Sequence, residues 1–229
     1  MPPSLVQLEA APDLVDQVYR ALIDAISDGT LAPGQRITQD QLAAQLAVSR
    51  QPVLQALRLL KKDGLVQDAP GRGVLVTPLD VDWMHQVYQV RGALDALAAD
   101  LAAARRYQLD PALIAHGREA SQGSDVKAMI DADMAFHQAI YAASLNPLIA
   151  QSAQAHWCHL RRVMGAVLQS AQQRTSVWDE HQSIAQAIAA GDRTRAVALI
   201  NHHSQQASSE LGARLSEQLT PLKISTGDR

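Results

Sequence analysis

The stretch from Ile37 to Val76 constrains this chain more than any other. Two short helical patterns, Gln39–Leu46 and one opening after Ser49, precede a strand, a turn with Gly71-Arg72-Gly73 and a second strand. That order predicts a winged helix-turn-helix, whose second helix lies in the major groove of double-stranded DNA. Thr38 suits the N-cap of the first pattern and Ser49 that of the second, with Pro52 tolerated in the first turn. Lys61, Lys62 and Gly64 give the second pattern favourable C-terminal chemistry. A preceding helix, Leu14–Ser27, is marked by Leu14, Val18, Leu22 and Ile26, an apolar residue every fourth position.

Within the second pattern, Val53, Leu57 and Leu60 form the inward stripe. Arg50, Leu54 and Arg58 lie on another face, with Gln51 and Gln55 beside them. Arginine can bond guanine through two hydrogens, and glutamine can do the same with adenine. Arg72 sits at the hairpin tip, within reach of a phosphate or the minor groove, and Arg36 precedes the first pattern as a phosphate contact. The expected DNA-binding set is therefore Arg36, Ser49, Arg50, Gln51, Gln55, Arg58 and Arg72. A winged helix can also act as a protein-binding module. The Ser-Arg-x-Pro start and the Gly-Arg-Gly wing favour DNA.

The net charge of −3 looks unfavourable for that partner. Affinity depends on where cations sit, however. In this segment Arg50, Arg58, Lys61, Lys62 and Arg72 stand against Asp40, Asp63 and Asp68, a modestly positive balance.

A chain of 229 residues favours two domains. Aromatic residues make up 3%, while alanine and leucine are abundant, so the cores should be helix packed on helix. After Asp80 the pattern is helical throughout, with helices expected over Val81–Arg106, Asp110–Ser121, Val126–Ser144, Pro147–Ala171, Ser176–Ala190 and Thr194–Leu215. The expected fold is mainly α. A winged helix-turn-helix over residues 1–78 precedes an all-helical antiparallel bundle over 79–217, and a polar tail without fixed structure covers 218–229. No apolar run approaches the roughly 20 residues that span a bilayer. No signal peptide is evident, and Cys158 is the sole cysteine, which fits a cytoplasmic protein.

Four polar residues interrupt apolar helical stripes. Asp133 and His137 are four apart and share a face with Ile130, Met134 and Tyr141. His181 falls among Val177, Trp178, Ile184 and Ile188, and His203 among Ala196, Ile200, Ala207 and Leu211. Burying such groups costs free energy unless each finds a partner. One shared metal ion would satisfy all four, and three imidazoles with a carboxylate suit Zn²⁺ or Ni²⁺. The alternative is four separately satisfied core residues. His202 would replace His203 if the helix phase were one residue off.

The segments "LAPGQRIT", "LAAQLAVSRQPVLQALRLLKKDGLV" and "GRGVLVTP" resemble the GntR superfamily of bacterial transcription regulators. The family usually carries arginine where this chain has Leu54, which could instead touch a thymine methyl. The segments "VYQVRGALDALAADLAA", "DADMAFHQAIYAASLNPLI" and "EHQSIAQAIAAGDRTRAVALINHH" resemble the FCD ligand-binding domain of the FadR branch. In metal-binding members of that family the matching positions ligate a divalent ion, so the resemblance assigns Asp133, His137, His181 and His203 as ligands. Arg91 matches a frequent family arginine, with Asp95 where the family usually has glutamate. A simple helix pair with Asp95 and a contact to an effector carboxylate are both open to Arg91.

The expected function is a ligand-responsive repressor that binds a palindromic operator as a homodimer. Its metal would help to bind a small carboxylate metabolite. The alternative is a metal-dependent hydrolase or lyase with the same ligands. Glu180 should point to a different helix face from His181, which weakens it as a general base.

Overall fold

A computed structural model of the chain describes residues 14–168 and 176–224, with side chains to Thr220. The described residues form two compact units, one running to Ile26 and over Thr30–Pro78, the other comprising Ser27–Gly29 and the chain from Leu79 onward.

The first unit contains α1 (Leu14–Ser27), β1 (Arg36–Ile37), α2 (Gln39–Gln45), α3 (Arg50–Lys62), β2 (Val66–Asp68) and β3 (Val74–Val76). Val18, Leu22 and Ile26 are buried as the four-residue spacing requires, but Leu14, at the first turn, is 43% exposed. Thr38 caps α2 in a reciprocal capping box with Gln41. Ser49 holds the N-cap position of α3 with extended backbone, but its side chain makes no capping bond. Burial of Val53, Ala56, Leu57 and Leu60 fixes the rotation of α3, so its opposite face is set toward solvent.

The sheet is antiparallel with order β1-β3-β2. Ile37 pairs with Val74, and Val66 with Val76. The hairpin of β2 and β3 is the one expected from the sequence. The strand β1 is an addition, because two residues carry no readable periodicity. Gly73 permits it: φ is +94°, and a Cβ there would lie 2.3 Å from the Ile37 carbonyl oxygen.

The second unit is entirely helical among its described residues: α4 (Val81–Ala104), α5 (Pro111–Gln122), α6 (Val126–Ala143), α7 (Pro147–Leu168), α8 (Val177–Ala190) and α9 (Arg193–Ile224). Asp80, Asp110 and Asp125 each accept a backbone N–H at the start of a helix. Gly191, left-handed at φ 76°, ends α8. Helix α4 packs most extensively on α9 and also meets α6, α7 and α8. One apolar cluster gathers Phe136, Ile140, Trp157, Trp178, Ile184 and Ile188. A second gathers Met84, Tyr88, Leu160, Val163, Leu211 and Leu215.

The expected tail needs correcting. Helix α9 continues past residue 217 to Ile224. Leu215 is fully buried, Leu219 extends the same stripe onto the second cluster, and the Gln218 Nε2 donates to the Ala166 carbonyl at 3.0 Å. That packing outweighs the polar composition. Residues 225–229, the first 13 residues and the end expected for the helix at 169–171 lie outside the described residues.

Candidate metal centre and nucleic-acid interface

Helix α6 carries Asp133 and His137 one turn apart, α8 carries His181, and α9 carries His203. Each of the four offers one ligand atom, and these atoms lie within 4.8 Å of one another. His137 and His181 are fully buried, and His203 is 4% exposed. The Nε2 atoms of His181 and His203 are 3.2 Å apart, and His181 Nε2 is 3.5 Å from Asp133 Oδ1. Two donors each about 2.1 Å from one ion stand roughly 3.0–3.4 Å apart, so the spacing suits a shared cation. His202 is exposed and outside the cluster, which settles the phase of α9.

The groups behind the imidazoles agree with that geometry. His203 Nδ1 donates to Glu180 Oε2 at 2.8 Å. With the proton on Nδ1, the lone pair of Nε2 faces the cluster. His137 Nε2 is buried without a hydrogen-bond partner among the described residues. A buried acceptor left over in this way is the strongest sign that the donor set fits an ion. The Nδ1 of His137 faces Asp95 Oδ2 at 3.5 Å, too long for a hydrogen bond but close enough for charge to act. Burial, reinforced by the nearby Arg91 charge, pushes the His137 imidazole below its usual range. It therefore stands neutral near pH 7, as a ligand must.

Asp95 is the hub behind His137. It is fully buried, 3.2 Å from Arg91 Nε, and accepts the Tyr141 hydroxyl. Burial alone would raise its carboxyl, but Arg91, then His137, and the Tyr141 bond hold it down to about 2. Burial would lower the Arg91 guanidinium, and Asp95 reverses that and raises it. The guanidinium lies over the Trp157 ring, 4.0 Å from its centroid, and within 5.6 Å of Tyr88, so it joins the two apolar clusters. Arg91 pairs with Asp95 and also lines a cavity beside Asp133 and His203. That cavity holds about 90 Å³.

Sequence reasoning missed Glu180 as a partner of the site. Its carboxylate meets His203 on the next helix. Only the packing of α8 on α9 shows this. Tyr141 stood in the predicted stripe, without a role until Asp95 appeared opposite it.

In the first unit, Ser49, Arg50, Gln51, Gln55 and Arg58 are all exposed along α3, and Leu54 is half-buried beside them. Arg50 Nε lies 2.7 Å from Asp40 Oδ1 of α2, both well exposed. Gln39 Nε2 donates to the Arg50 carbonyl at 2.6 Å, tying α2 to the start of α3. Arg36 is exposed, and its Nε donates to the Arg72 carbonyl at 2.9 Å, so it also braces the wing. Arg72 itself is exposed at the tip.

Known proteins provide an independent comparison. The model of the FCD domain matches residues 86–206, and that of bacterial regulatory proteins of the gntR family matches residues 14–76. The chain is 30% identical over 181 residues to an HTH-type transcriptional regulator in an unstable DNA locus of Streptomyces ambofaciens, covering 76% of this chain and 75% of that protein. It is 40% identical over 85 residues to the HTH-type transcriptional regulator YdhC of Bacillus subtilis, a match spanning 37% of this chain and 38% of that protein. The solved structure of E. coli McbR/YncC is similar in fold, with a TM-score of 0.77 at 22% identity, covering 90% of this chain and all of the other.

Proposed function

The chain belongs to the gntR family of bacterial regulatory proteins and carries an FCD domain, and from that premise we propose a repressor whose hold on its operator responds to a metal-bound carboxylate. It is a DNA-binding transcription regulator, not an enzyme. The hydrolase alternative has no support, since Glu180 is committed to His203 and its relatives are regulators. No helix among the described residues is long and apolar enough to cross a membrane, which agrees with work on DNA in the cytoplasm.

The observation that carries the reading is the convergence of Asp133, His137, His181 and His203 beside a cavity. These residues would hold one Zn²⁺ or Ni²⁺, as their three nitrogens and one oxygen suit a borderline ion. An ion held by these four would take a carboxylate oxygen by expanding beyond four-coordination, as Zn²⁺ does on becoming five-coordinate. Arg91 stands at the cavity wall, where its guanidinium can pair with the same carboxylate. Glu180 orients His203 from behind through its hydrogen bond, and the Asp95 charge stands behind His137.

On the DNA side, Arg50, Gln51, Gln55 and Arg58 read base edges, and Ser49 and Arg72 contact the backbone. Arg36 acts by holding the wing that presents Arg72. The homodimer is supported by Trp83, Val90 and Leu97, exposed at seven-residue intervals on α4, the period at which a helix meets a partner. A twofold protein matches a palindromic operator. Coupling requires that the effector bind the free and operator-bound forms with different affinity.

Selection of operators from a random duplex pool tests this reading. The selected sequence should be a palindrome, and a carboxylate effector should lower the affinity of metal-loaded protein for it. Failure to enrich any sequence would refute the assignment of α3. An affinity that no carboxylate changes would refute the sensing role.

A further inference from the structure

We infer that the cavity beside the four ligands is built for a short monocarboxylate with an apolar remainder; this rests on the metal-and-carboxylate reading above. Size is the first constraint. About 90 Å³ is room for roughly six to nine non-hydrogen atoms, at about 10–15 Å³ of such space for each water-sized group. Sugar acids and tricarboxylates would extend beyond this space into the open mouth.

Charge is the second constraint. Asp133, Asp95 and Glu180 are negative and Arg91 is positive, so a divalent ion brings this group only to neutrality. A single carboxylate can be held by the ion and the Arg91 guanidinium, and a second anionic charge would have no cation of its own. The other charged residues of the wall, Glu210 and Arg214, pair with each other at 2.6 Å and present no unbalanced cation to a second carboxylate.

The rest of the wall is the third constraint. Met129, Met164, Leu168, Val177 and Leu211 offer no hydrogen-bond donor in their side chains, and Tyr88 and Trp178 add one donor each to an otherwise apolar surface. A second carboxylate, or a row of hydroxyls, would lose most of its water there, with at most those two donors in return. An alkyl group gains contact with the same atoms, and methionine adapts to its shape.

Isocaproate and succinate form a matched pair, since an isopropyl group stands where succinate has its second carboxylate. Calorimetry on full-length, zinc-loaded protein, with zinc measured on the same sample, should show isocaproate binding about 10- to 100-fold more tightly, the penalty expected for an unpartnered polar group. Met164→Lys places a cation in the apolar wall and should narrow or reverse that ratio while zinc content holds. The wild-type comparison stands alone if this variant does not fold. Succinate or gluconate binding as tightly as isocaproate would overturn the inference. So would zinc-loaded protein that ignores isocaproate. A protein that takes up no zinc overturns the site reading itself and this inference with it, and the zinc measurement separates the two failures.

Discussion

Replacing Asp95 by asparagine should expose how the buried centre is held together. The carboxylate is fully buried, and Arg91, 3% exposed and 3.2 Å away, has it as counter-charge. The asparagine side chain would keep the shape and remove the charge, leaving a guanidinium buried without its paired carboxylate. Breaking a buried pair from one side costs about 3–5 kcal/mol. The Asp133 carboxylate, whose charge also acts on Arg91, compensates part of that, so we expect a loss of about 2–4 kcal/mol in metal-free protein. The double variant Arg91→Met, Asp95→Asn removes both charges and should recover much of the loss, because neither partner is stranded. All three tryptophans, Trp83, Trp157 and Trp178, lie in the helical unit. Their fluorescence in a urea titration at pH 7 with chelator therefore reports on that unit. A loss below about 1 kcal/mol for Asp95→Asn, or a double variant costing the sum of the two singles, would refute the reasoning.

Glu180→Gln should weaken metal binding by about 10- to 100-fold with little change in stability, since Glu180 is 24% exposed; competition against a chromophoric chelator measures it. Arg50→Ala should cost about 1–3 kcal/mol of operator affinity, measured by fluorescence anisotropy, while metal content stays unchanged. Acid should destabilise the metal-free protein through His137. Its folded pKa lies below the usual 6.5, so the unfolded chain binds a proton that the folded one refuses, and stability falls as pH drops through 6.5. His137→Gln removes this contribution, and its stability should fall less steeply between about pH 6 and 5, by up to about 1.4 kcal/mol per pH unit.

Much of the site was legible because helix periodicity is strict. Asp133 and His137 at four-residue spacing had to share a face of α6, and His181 and His203 each stood among residues that are buried. Their convergence was not legible, since it depends on how α6, α8 and α9 pack. Asp95 and Glu180 serve histidines on other helices, and no spacing along the chain records that. In the first unit, the outward face of α3 followed from Val53, Leu57 and Leu60. The bracing of the wing by Arg36 did not, because it joins residues 36 apart in sequence. Strand β1 was invisible for a related reason: its two residues become a strand only by pairing with β3. At the end of α9 the polar composition argued for a tail, but Leu215 and Leu219 continue the buried stripe and the helix follows them.

Anomalous scattering from crystals of protein loaded with zinc or nickel tests the central claim most directly. The account predicts one peak per chain in the helical unit, about 2.0–2.2 Å from an Asp133 carboxylate oxygen and from the Nε2 atoms of His137, His181 and His203. Protein shown by mass spectrometry to carry one ion per chain, but with no peak among these four residues, would contradict it.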